Sequence, residues 1–153
     1  MSLLTPEVHA AIGDLNARFA WALDLHDFEA LRHLFTVDAH YVSGGREFTG
    51  VDDLIASFSF RTGTRTTRHG LGNLLLEEAG DGTVTGRSSW HTFASNESVP
   101  SGVPLFMVAD FVDRYARTAN GAWRIAERII TPVFREAALA PGAPARPPQG
   151  STS

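Results

Sequence analysis

The sequence predicts an α+β fold, with helices first and long antiparallel hairpins after them. Three observations predict it. Apolar residues recur every three or four positions through the first part of the chain, and the repeat drops to about two after residue 65. Two glycine-containing turns, "GDGT" at 80–83 and "ANGA" at 119–122, then separate the later runs. At 153 residues the chain can bury one core and is too short for two ordinary domains.

The first element starts at Thr5, a capping hydroxyl followed by Pro6 at the first helical position and Glu7 in the first turn. Val8, Ile12, Leu15, Phe19 and Leu23 give this helix one apolar face, and the spacing ends it near Leu25 or His26. Asp27 reads as the cap of a second helix carrying Phe28, Leu31, Leu34 and Phe35, so two helices meet at a tight corner. A third, short helix begins at Gly50 and Val51, with Asp52 and Asp53 in its first turn and Leu54, Ile55 and Phe58 facing inward. Four strands follow, at 68–77, 82–93, 104–117 and 122–134. The domain is expected to span 1–138. The Pro, Gly and Ala-rich stretch 139–153 reads as a disordered tail.

Composition narrows the chemistry. Hydrophobic residues make up 43% and charged residues 20%, the balance of a globular protein, and a net charge of −4 favours neither nucleic acid nor an anionic membrane. Cysteine is absent, which removes disulfides, thiolate nucleophiles and sulfur-based zinc sites. No stretch resembles a signal peptide or reaches the roughly 18 apolar residues of a spanning helix, so a cytoplasmic location is expected. Six histidines occur without a His-x-His or His-Glu-x-x-His pattern, so no metal site is expected. "GLGNLL" lacks the third glycine of a dinucleotide loop, and no Gly-x-Ser-x-Gly elbow occurs.

The stretch "TRHGLGN" at 67–73 opens the first long strand and holds the best candidate for chemistry. Simple alternation would put His69, Leu71, Asn73 and Leu75 on one face, and Gly70, Gly72, Leu74 and Leu76 on the other. The two glycines suggest a bend, a bulge, or close approach by another element. Asp24 sits near the C-terminal end of the first helix, where the helix dipole disfavours a carboxylate. Such an acid calls for solvent or a hydrogen-bonding partner. His26 is the rival base, His33 and His40 read as exposed, and Arg61, Arg65 and Arg68 read as a solvated basic run in a Thr-rich loop.

The stretches "FAWALDLHDFEALRHLF", "TRHGLGNLLLE" and "GAWRIAER", in that order and over roughly residues 5–135, resemble the SnoaL-like branch of the nuclear transport factor 2 superfamily. The resemblance implies a cone: a curved antiparallel sheet wrapped over N-terminal helices, NTF2-like or cystatin-like, with an apolar pocket in its mouth. It also implies a dyad in which Asp24 orients His69, and His69 removes a proton from carbon without a cofactor. Asn73 and Arg128 fall at positions that would hold the substrate or a leaving group. Trp21, Phe58, Trp90 and Phe106 are candidate linings for a flat, apolar substrate. The second histidine of scytalone dehydratase has no counterpart, since Ala94 occupies its place and His91 is out of register by three.

These readings imply a lyase of the dehydratase or dehydrohalogenase type acting on a small apolar or aromatic, polyketide-like molecule. A polyketide cyclase or an isomerase would use the same dyad. A non-catalytic ligand-binding or assembly subunit is the third alternative, and it would fill the pocket with its own side chains. A homo-oligomer, trimer or dimer, is implied by the resemblance.

Overall fold

The computed structural model describes residues 1–61, 63–102 and 104–143. Helix α1 runs Pro6–Asp24, and the Thr5 hydroxyl accepts a hydrogen bond from the Val8 amide. Its buried face is Ile12, Leu15, Asn16, Phe19, Ala22, Leu23 and Asp24, so the predicted stripe is present with two polar residues set into it. The corner after it depends on His26, which takes a left-handed φ of 57° and lets the Asp27 amide return to the Ala22 carbonyl. Asp27 then caps α2, Phe28–Arg32, through the Ala30 amide. Helix α3 covers Val51–Phe58.

The second helix is shorter than predicted. Phe35 belongs instead to strand β1, Phe35–Ser43, which pairs with β2, Arg46–Thr49, and neither strand is among those the sequence predicts. The pairing register of β1 shifts between Phe35 and His40, and Val37 is left exposed while Phe35, Ala39 and Tyr41 are buried. That irregularity breaks the alternation by which a strand is read.

The long strands are β3, Thr66–Glu78; β4, Val84–Ser95; β5, Leu105–Arg117; and β6, Trp123–Arg135. Together with β1 and β2 they form one curved six-stranded sheet in the order β2-β1-β6-β5-β4-β3. The neighbours are antiparallel except β1 and β6, which run parallel, so the sheet is mixed where the sequence predicts an antiparallel one. A parallel pair needs a crossover, which here is β2 through β5. The core lies between α1, α3 and the inner face of the sheet, and includes Ile12, Phe19, Leu54, Trp90, Phe111 and Ile125.

Strand β3 carries a bulge. Its pairing with β4 slips between Gly72 and Leu75, and Asn73 adopts a φ of 51°. Thr67 is buried and His69 and Leu71 half-buried before the bulge, whereas Leu74 is half-buried and Leu76 buried after it, so the inward face changes parity across it. Gly70 answers to a close approach: a Cβ there would lie 2.1 Å from Nε2 of His91, its cross-strand partner. Residues 137–139 form a short 3-10 helix. Leu139 and Ala140, expected in the tail, have their carbonyls held by the Arg65 guanidinium at 2.9 Å and the Asn96 amide at 2.9 Å. Residues 144–153 of the expected tail lie outside the described residues.

Candidate active site

Asp24 ends α1 with its carboxylate turned into the fold, where it accepts three hydrogen bonds from β3. The Thr67 hydroxyl donates to Oδ1 at 2.8 Å, the His69 backbone amide donates to Oδ2 at 3.0 Å, and His69 Nδ1 lies 2.5 Å from Oδ1. These donors offset the unfavourable helix end. Burial pushes the Asp24 carboxyl up, but the bond and charge of His69, with the amide and Thr67, outweigh it and hold it below the usual carboxylate range. Burial pushes the His69 imidazole down, and nearby Arg61 and Arg65 push it the same way, against the raising influence of Asp24. His69 is therefore held below the ordinary histidine value. A carboxylate on Nδ1 selects the tautomer with its proton there and leaves Nε2 as the acceptor. Nε2 has no hydrogen-bond partner among the described residues.

His69 lines a cavity of about 330 Å³. Phe19, Leu23, Tyr41, Phe58, Phe106 and Phe111 supply apolar and aromatic wall, and Ala140, Pro141 and Gly142 contribute from the C-terminal segment. Thr92, which pairs with His69 across β3 and β4, also faces the cavity. Four arginines line it as well, Arg46, Arg61, Arg65 and Arg135, and among the described residues its lining contains neither Asp nor Glu. The sequence reading sets Arg61 and Arg65 in a solvated loop, and the structure corrects it. Arg65 is only 3% exposed, bonded to Asn96 at 2.6 Å and stacked over Phe106 at 5.4 Å. Arg61 lies over Phe58 at 5.8 Å. The signal in the sequence is Phe58, buried at the end of α3 three residues before Arg61, whereas Phe60 stays exposed.

The structure brings together Asp24, His69, Phe58 and Phe106, and separates the other candidates from the cavity. Asn73 is exposed at the bulge, because the left-handed residue there turns its side chain out of the alternation. Trp21 is 58% exposed on the far side of α1, with the Arg68 guanidinium 5.9 Å from its ring. Trp90 is core: its ring stacks on Phe111 at 4.7 Å and its indole N–H donates to Ser88. Arg128 is 0% exposed and does not line the cavity. Its Nε and Nη2 each reach an Asp113 carboxylate oxygen at 2.8 Å, Nη2 also meets Asn16, and Phe19, Phe111 and Trp90 surround the guanidinium. Its charge is thus held inside the core by Asp113, apart from the cavity lining. His26, the rival base, stacks on Phe28 away from the cavity lining. His40, expected to be exposed, is half-buried between Glu47 at 2.7 Å and Glu127 at 2.8 Å.

With this geometry in place, comparison with known proteins identifies the fold and family. The chain is similar to Aln2 from a Streptomyces species at 23% identity, covering 86% of this chain and 94% of that one, with a TM-score of 0.73. It is similar to a protein of unknown function from Mycobacterium tuberculosis at 25% identity, covering 88% and 80% respectively, with a TM-score of 0.74. A protein from Catenulispora acidiphila, solved in complex with S-DNPA, is 22% identical, with 84% and 95% coverage and a TM-score of 0.73. No curated protein matches the sequence. Among the described residues no helix is long and apolar enough to cross a membrane. The family model described as SnoaL-like domain matches residues 5–129, and this chain belongs to that family, with its NTF2-like fold.

Proposed function

We propose that the protein is a cofactor-independent lyase in which His69 removes a carbon-bound proton from a small apolar or aromatic, polyketide-like substrate. The observation that carries this reading is the 2.5 Å contact of His69 Nδ1 with a buried carboxylate, on the wall of an aromatic cavity. In the neutral imidazole Nε2 accepts the proton, the C–H electron pair becomes the new double bond, and the leaving group departs with the electrons of its own bond, as halide or as a hydroxyl that takes the proton from the His69 imidazolium and leaves as water. Asp24 stabilises the imidazolium that results. The cavity wall excludes water from the carbanion-like transition state. Cyclisation or isomerisation would share the first step, and the presence of a β leaving group separates elimination from them.

The relative solved with S-DNPA supports a small molecule as the occupant of such a cavity. A thermal-shift screen of aromatic small molecules supplies candidates, because a ligand of the folded state alone raises the melting temperature. Those with a leaving group β to an acidic C–H are then tested for turnover. The reading requires turnover by the wild type and its loss in His69→Ala and Asp24→Asn; equal rates in all three proteins would defeat it.

A further inference from the structure

Two arginines, the fully buried Arg128 and the half-buried Arg61, stand in contrasting surroundings. Arg128 has its charge matched: Asp113 grips Nε and Nη2 with both oxygens, Asn16 accepts from Nη2, and three rings surround the guanidinium, with only Nη1 left unbonded. Arg61 does not. Its guanidinium has no hydrogen-bond or carboxylate partner among the described residues, and its Nη1 is closed to water and unbonded. Arg65 commits Nη1 to Asn96 and the Leu139 carbonyl, while its Nε is likewise buried and unbonded.

A donor buried without a partner is costly, so Nη1 of Arg61 and Nε of Arg65 call for an acceptor that the described residues do not supply. Burial pushes Arg65 down to about 10, and the neighbouring Arg61 charge adds to the effect. Tyr41, beside them in the cavity, gives no counter-charge, since burial raises its phenol to about 12. Asp24 is committed to Thr67 and His69.

We infer that Arg61, with Arg65 beside it, is the binding site for a carboxylate carried by the substrate. The inference rests on the proposed lyase reading only for the word substrate, and the binding itself stands apart from turnover. A planar guanidinium fork with its donors uncommitted matches the two oxygens of a carboxylate bidentately. The aromatic wall takes the apolar body of the same molecule. Because Arg61 and Arg65 act on the imidazole of His69, a bound carboxylate also offsets the positive field around the base.

The test is binding to 1-naphthoate, 1-naphthamide and 1-naphthyl phosphate, measured by calorimetry on the full chain. The expected result is that naphthoate binds about tenfold more tightly than the other two, or better. Arg61→Gln should abolish that preference while leaving naphthamide binding unchanged, and Arg61→Lys should keep part of it. Arg61 makes no side-chain hydrogen bond among the described residues, so its substitution should preserve the fold, which an unchanged melting temperature would verify. Arg114→Gln, which alters an exposed pair with Asp81, is the control and should behave as wild type. Equal binding of naphthoate and naphthamide, preference for the phosphate, or persistence of the carboxylate preference in Arg61→Gln would overturn the inference. His69→Ala should retain the preference, so loss of the base reading and loss of the anion site are read separately.

Discussion

The carboxylate of Asp24 accepts both the backbone amide and the ring nitrogen of His69, at 3.0 Å and 2.5 Å. Two bonds to one residue fix the position of its strand and the orientation of its ring together. Asp24→Asn removes the charge that, in the proposed mechanism, selects the tautomer and stabilises the imidazolium. The expected outcome is a loss in kcat of about 10²- to 10⁴-fold, measured on a substrate found by the thermal-shift screen, with the melting temperature used to separate chemistry from unfolding.

The pH profile of turnover should carry the signature of a depressed base. In the proposed mechanism His69 must be neutral to act, and burial, with Arg61 and Arg65, holds its folded value below 6.5. The acid limb of kcat/KM should therefore lie below that of an ordinary histidine. Removing the positive field in Arg61→Gln should move the limb upward. The same shift affects stability: the unfolded chain takes up a proton that the folded chain refuses, so stability falls as pH drops below 6.5 toward the folded value. The His69→Gln protein should lack that part of the decline in urea titrations.

His40 works with the opposite sign. Its hydrogen bonds to Glu127 and Glu47 raise its value above 6.5. Its contribution to stability is thus fully present below 6.5 and is lost as pH rises through the folded value. Unfolding midpoints of His40→Gln should be less sensitive to alkaline pH than those of wild type, because the link from β1 to both of its neighbouring strands no longer titrates.

The Arg128 and Asp113 pair is completely buried. Removing one partner strands the other charge, so Arg128→Met should cost about 3 to 5 kcal/mol, read from denaturant unfolding. The double variant Arg128→Met with Asp113→Leu should recover much of that loss. Simple additivity of the two single changes would contradict a coupled pair.

The chain's local patterns determined a good deal by themselves. The Thr5 cap, the α1 stripe, the Asp27 cap and the four long strands are legible because each depends on neighbours in sequence. Asp24 and His69 are legible as a pair through family resemblance, with the misplaced acid as a physical hint. Tertiary structure decided the remainder. The irregular β1 runs parallel to β6, setting His40 beside Glu127, 87 residues later, a relation no local period encodes. A single left-handed residue at position 73 turned Asn73 out of the face that simple alternation assigns it. The two arginine roles also exchanged places: Arg128 proved to be buried against Asp113, and the apparently solvated Arg61 and Arg65 came to line the cavity. The cause is common to both: a charge's role depends on which distant groups fold against it, and the sequence places those groups on other elements.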